Sequence, residues 1–100
     1  RSNPVRLEMM QFYPSPFMRF GTGVSTVTFP AEQGGEFILR IYDSSGRQIR
    51  KIVYYAHTSG NHSIFWNGRS DDGTLVSSGA YTLSLHSFHQ SFKTNAILVF

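Results

Sequence analysis

Four histidines, at positions 57, 62, 86 and 89, and the oxygen-bearing trio Asn67, Asp71 and Asp72 are the residues whose types permit metal ligation or proton transfer. A bound metal needs three or four convergent donors with an ordered outer shell. His86 and His89 lie three apart, which on a strand sends them to opposite faces, and His57 and His62 flank a turn at Gly60. They read as surface and loop histidines. Asn67, Asp71 and Asp72 offer the hard oxygen ligands that Ca²⁺ takes, though not at the spacing of an EF-hand loop. The same residue types cap turns by accepting hydrogen bonds from backbone amides two residues on. No cofactor is expected; Ca²⁺ on Asn67, Asp71 and Asp72 is the one alternative the loop chemistry leaves open. Ser, His and Asp all occur, but without the Gly-x-Ser-x-Gly elbow of a nucleophilic hydrolase. Two adjacent carboxylates on one loop do not face each other across a cleft, as glycoside hydrolysis requires. The chain reads as non-enzymatic.

These residues hang on strands. His62, Ile64 and Trp66 alternate onto one face, and Trp66 is the only tryptophan in 100 residues, placed to fill a core. Asn67-Gly68 ends that strand, and Asp72-Gly73 supplies a second turn. After Gly79, Tyr81, Leu83 and Leu85 alternate with Thr82, Ser84 and His86, the mark of a half-buried strand. Upstream, residues 25–29 put Val27 and Phe29 inward, and Pro30 is expected to stop the strand. Phe37, Leu39 and Ile41 oppose Ile38, Arg40 and Tyr42, and Asp43-Ser-Ser-Gly46 is a hairpin connection. Residues 47–55 are ambiguous, since Ile49, Ile52 and Val53 fit helical spacing. The β-branched content favours a strand with an irregularity near Lys51. In residues 92–100, Ile97 and Val99 alternate with Ala96 and Leu98, so both faces are apolar. Tyr13-Pro14-Ser15-Pro16-Phe17 is neither central strand nor helix, because each proline removes an amide donor; an extended edge or crossover is expected. Residues 1–12 are a linker or first strand, with Val5, Leu7 and Met9 in alternation, and Gly21 and Gly23 mark a turn. About seven short strands, Gly- and Pro-rich turns and no convincing helix give an all-β, Ig-like or fibronectin-III-like antiparallel sandwich over residues 13–100.

Composition bounds the partners. The 40% hydrophobic content, with nine Phe and five Tyr, supports one modest core. The formal charge of +3 is spread: Arg40, Arg47, Arg50 and Lys51 come from neighbouring strands, while Arg1, Arg6, Arg19, Arg69 and Lys93 are scattered. Nucleic-acid binding wants a contiguous basic stripe with stacking aromatics, so none is expected. No cysteine is present, which removes disulfides and thiolate metal sites. No apolar run approaches the roughly 20 residues of a membrane helix. Opening on Arg1, the chain is expected to be attached to a larger parent.

Several of these stretches carry a resemblance. In order, they are Tyr13-Pro14-Ser15-Pro16-Phe17, Tyr42-Asp43-Ser44-Ser45-Gly46-Arg47, Gly60 with His62, Trp66-Asn67-Gly68, and Gly79-Ala80-Tyr81. Together they resemble the type A C-terminal sorting domains of type IX secretion cargo, which are themselves similar to the Ig-like domain of the flagellar hook-capping protein. Ser15 and Asn67 stand where such domains more often carry Asn and Asp, and no Lys or Arg ends the chain. The resemblance implies a non-catalytic sorting or anchoring domain that directs a larger cargo through the periplasm to the bacterial cell surface. Its partners would be outer-membrane secretion or sortase machinery, with cleavage on anchoring. The two apolar faces of the last strand make Phe92, Lys93, Thr94, Ile97, Leu98 and Val99 the expected recognition element, read by edge pairing. Two other roles are weighed: a structural Ig-like module in a hook cap or surface filament, contacting neighbouring subunits, and a carbohydrate-binding accessory domain. The second would need an exposed aromatic platform, for which Tyr54-Tyr55 is the one adjacent pair.

Overall fold

The computed structural model describes residues 11–13, 17–18 and 25–99. Eight strands occur in chain order: β1 (Gln11–Tyr13), β2 (Phe17–Met18), β3 (Ser25–Ala31), β4 (Gly35–Tyr42), β5 (Gln48–Ala56), β6 (Gly60–Trp66), β7 (Gly79–His86) and β8 (Ser91–Val99). They form a three-stranded sheet, β1-β3-β6, and a five-stranded sheet, β2-β8-β7-β4-β5. The described part is thus the all-β sandwich that the alternation predicts, with six long strands and two short ones. One pairing departs from the antiparallel rule: β2 runs parallel to β8, with Phe17 opposite Leu98 and Met18 opposite Val99.

The core sits between the sheets and is built from alternate residues. Val27 and Phe29 on β3, Phe37, Leu39 and Ile41 on β4, Ile64 and Trp66 on β6, and Leu83 and Leu85 on β7 are almost wholly buried. Each is on the face its parity predicts. Phe29 ties the layers together, its ring 4.8 Å from Phe37 and 6.4 Å from Phe92 of the opposite sheet. Each such side chain stabilises the fold by about 1.5–3 kcal/mol relative to exposure.

Two local expectations need correction, and a third gains its exact position. Pro30 does not end its strand: β3 continues to Ala31, pairing Pro30 with Asn61. A strand residue directs its N–H and C=O to the same edge, and the Pro30 carbonyl accepts from the Gln90 Nε2 amide at 3.0 Å. The missing N–H therefore lies on the edge that β6 does not use. The irregularity expected in β5 near Lys51 is present and centred two residues earlier, at Ile49, while Lys51 itself pairs regularly with Arg40. Ile41 opposes Arg50 and Tyr42 opposes Gln48, leaving Ile49 as the extra residue of a β-bulge. The extra residue shifts parity, so Ile49 and Ile52 both pack on the core despite being three apart. Val53 then points outward, 55% exposed. That bulge is the physical source of the apparent helical spacing. Finally, β8 is not apolar-covered on both faces: Phe92, Ala96 and Leu98 are buried while Ile97 is 53% exposed.

Pro14, Pro16, Gly21, Gly23 and residues 1–10 lie outside the described residues. The residues flanking the prolines sit in different sheets, Tyr13 opposite Thr26 in the small one and Phe17 opposite Leu98 in the large one.

Candidate functional site

The loop after β6 uses its polar groups to hold itself together. The Trp66 indole N–H donates to the Arg69 carbonyl at 2.9 Å, while the Asn67 side-chain oxygen accepts from the Arg69 amide at 3.1 Å. Asp72 accepts from the Ser70 hydroxyl and from the Thr74 amide. Those two hydrogen bonds hold its carboxyl down at about 2. Asp71 turns the other way: its backbone N–H donates to Ile49 O at 2.9 Å and its carboxylate accepts the Lys51 amide at 3.2 Å. Arg50 Nε stands 3.7 Å from the same oxygen. Asn67, Asp71 and Asp72 thus face three separate sets of donors. Among the described residues no three His, Cys, Asp or Glu side chains gather as metal ligands would.

The other quoted motifs are also fold devices. Asp43 Oδ1 accepts from the Ser45 hydroxyl at 2.7 Å and from the amides of Ser45 and Arg47, each at 3.0 Å. The Ser45 hydroxyl, then the Arg47 amide, holds the Asp43 carboxyl below the usual carboxylate pKa. Gly46 closes that turn at φ 88°, a conformation costly for any residue with a Cβ. Gly68, after Trp66, holds φ 78° for the same reason. Tyr81 opens β7 with its ring against Trp66, centroids 6.3 Å apart, and its hydroxyl donates to Ser77 O at 2.6 Å. The arrangement is that of a tyrosine corner, a side chain bonding back to the backbone a few residues upstream. Burial pushes the Tyr81 phenol up.

The histidines are dispersed. His62 Nε2 donates to Thr58 O, which leaves Nδ1 to accept from the Tyr54 hydroxyl; both contacts are 2.8 Å. This pair closes the side of the sandwich where β5 and β6 come together. His86 ends β7, where its Nε2 accepts from Arg40 Nη1 at 2.7 Å. His89 sits in the following turn against Phe88, and His57 against the Tyr55 ring. His86 and His89 do not share a strand: β7 ends at His86, and Ser87 accepts from the His89 and Gln90 amides. Tyr54 is half-buried on the core side and Tyr55 is 61% exposed on the other. Adjacent strand residues face opposite ways, so the two rings form no platform.

What remains open to other molecules is surface. Of the expected recognition strand, Phe92 and Leu98 are buried, Thr94 is half-buried, and Lys93 and Ile97 point out. Only the backbone pairing of Val99 is described. Among the described residues, β8 is paired on its outer edge only at Leu98 and Val99. The outward face of the large sheet brings together residues that the sequence left scattered. Lys51 lies opposite Arg40, Arg40 opposite Ser84, and Ser84 opposite Lys93. Three cations far apart in sequence thus share one row across four strands. Only the register of the sheet reveals it.

Residues 18–90 match the FlgD Ig-like domain family. No curated protein matches the chain. Among solved structures, PorZ, an essential bacterial surface component of the type IX secretion system of Porphyromonas gingivalis, superposes with TM-score 0.65 at 21% identity over 93% of this chain. FlgD from Xanthomonas campestris, described for hook capping in flagellar assembly, gives TM-score 0.64 at 20% identity over 89%. The dimeric latent PorU of P. gingivalis gives TM-score 0.68 at 17% identity over 90%. The chain spans 12% of PorZ, 9% of PorU and 66% of the X. campestris FlgD. At these identities the likeness is one of fold.

Proposed function

The chain belongs to the family of FlgD Ig-like domains, and from that premise we propose that it is a non-catalytic sorting and anchoring domain, carried by a larger cargo through type IX secretion to the bacterial surface. The observation that carries this reading is the superposition of 93% of the chain on 12% of PorZ, a whole module matching a small part of a type IX surface component. The internal chemistry agrees, since Asp43, Asp72, Trp66 and Tyr81 all direct their polar atoms at the domain's own backbone. Nothing in that set is poised for a substrate. In this reading the domain is a rigid tag, and β8 is the recognised element. Its outer edge offers backbone groups to an added strand, with Lys93 and Ile97 facing outward beside it.

A fluorescent protein bearing a signal peptide and ending in residues 1–100, expressed in cells with a working type IX system, tests the reading. Surface delivery that is lost on deleting residues 92–100 is the expected result. Periplasmic retention of a folded, intact fusion refutes it. That outcome favours the second reading, a structural module of a hook cap or surface filament. The second reading rests on the larger share, 66%, of the X. campestris FlgD that the chain spans.

A further inference from the structure

We propose that the outward face of the five-stranded sheet is a docking surface for an acidic protein segment carrying alternate apolar side chains. The row Lys51–Arg40–Ser84–Lys93 crosses four strands, a span of roughly 14 Å at the usual inter-strand spacing. Lys51 and Arg40 are directly opposed, and like charges so placed destabilise a sheet. Among the described residues neither forms an ion pair: those present are Arg47–Asp43 and Arg50–Asp71, and the side-chain partner of Arg40 is His86. The row is a local cost to the fold that an anionic partner converts into binding.

The flanks narrow the partner's chemistry. On one side of the row Val53 opposes Ile38, and a hollow of about 360 Å³ runs from Ile38 past His86 to Phe88 at the hairpin tip. Phe88 is 95% exposed. On the other side a groove of about 580 Å³ runs along Tyr42, Thr82 and Asn95 to Lys93, with Ile97 exposed beyond it. The cationic row thus has Val53 and Ile38 on one side and Tyr42, Thr82 and Asn95, with Ile97 beyond them, on the other, which suits a chain presenting carboxylates beside apolar side chains. A nucleic acid needs a longer basic track to follow its phosphates. A second copy of this domain is disfavoured as well, since a two-fold pairing of these faces sets the cations against one another. The surface lies on the sheet face, not on the outer edge of β8, and it serves a sorting domain or a structural module alike.

The test is an NMR titration of the ¹⁵N-labelled chain with a 12-residue peptide alternating Glu and Leu, a Gln-for-Glu control, and a short DNA duplex. The expected result is amide shifts at Ile38, Arg40, Lys51, Val53 and Lys93, with the acidic peptide bound about tenfold more tightly than the control at low salt. The K51E/K93E variant, whose two side chains are exposed, should lose about tenfold in affinity. The milder K51A/K93A variant should lose less, and both should keep the dispersed spectrum of the folded domain. Equal binding of the Gln peptide, tighter binding of DNA, shifts confined to the β8 edge, or no binding at millimolar peptide overturns the proposal.

Discussion

Replacing Tyr81 by Phe removes one oxygen from the corner where β7 begins and leaves the ring against Trp66. The hydroxyl donates to Ser77 O at 2.6 Å, and Tyr81 is only 7% exposed. A neutral hydrogen bond of this kind contributes a net ~1 kcal/mol. Ser77 is exposed, so water can reach its freed carbonyl, which argues against the larger desolvation penalty. For a domain of this size ~1 kcal/mol corresponds to a Tm lower by about 4–8 °C. Thermal unfolding by circular dichroism, with Tyr55→Phe as an exposed control, reads this directly; the control should stay within about 0.5 kcal/mol of the parent. A pH series adds a second arm. Burial raises the Tyr81 phenol above its ordinary value of 10.0, so the folded state holds that proton more tightly than the unfolded one. The stability this provides is complete below the unfolded value near 10 and is lost as pH rises through the folded value. The gap between parent and Tyr81→Phe should therefore narrow above about pH 10. Equal melting temperatures for Tyr81→Phe and Tyr55→Phe at neutral pH would refute the assignment of a stabilising corner.

Trp66→Ala removes a fully buried indole and the donor to Arg69 O; a loss of about 3–5 kcal/mol is expected, enough to unfold much of the population in mild urea. Asp72→Asn should flatten the acid limb of the stability curve. The Asp72 carboxyl sits at about 2 against an ordinary 3.8, so its contribution is present above the ordinary value and disappears as pH falls through the folded one; parent and variant melting curves at pH 5 and pH 2 check this. Asp71→Ala strips the acceptor from the Lys51 amide on the edge of β5, and light scattering across a concentration series should detect new self-association through that edge.

Parity was the legible signal. Wherever an unbroken strand has one buried face, as in Phe37-Leu39-Ile41 and Tyr81-Leu83-Leu85, alternation alone assigns every side chain to its layer. It fails at Ile49, because one inserted residue reverses the parity of all that follows while the composition stays the same. It fails again at Pro30, where a proline is tolerated because its missing donor falls on the edge that β6 does not use, a property of neighbours and not of the residue. The motif residues were legible as positions but not as causes: that Asp43 ties down a turn and Tyr81 a corner emerges only from their hydrogen bonds. The cationic row was invisible for a different reason. Arg40, Lys51 and Lys93 are aligned by β4-β5 and by β7-β8 pairings whose register the sequence does not state.

The two sides of the large sheet are not equivalent, and that asymmetry bears on where a partner strand would add. At the β5 edge Asp71 acts as a substitute strand, its N–H on Ile49 O and its carboxylate on the Lys51 amide. The Tyr54–His62–Thr58 chain then closes the gap toward the small sheet. Pairing there would have to displace these contacts. At the β8 edge the described contact is the short β2 pairing at Leu98 and Val99, and Lys93 is the charged residue nearest the remainder. A lysine beside an edge that is unpaired among the described residues discourages indiscriminate strand addition, but it also selects for a strand that brings a carboxylate to meet it. On the proposed reading, an added strand therefore meets an edge already occupied at β5 and a lysine at β8.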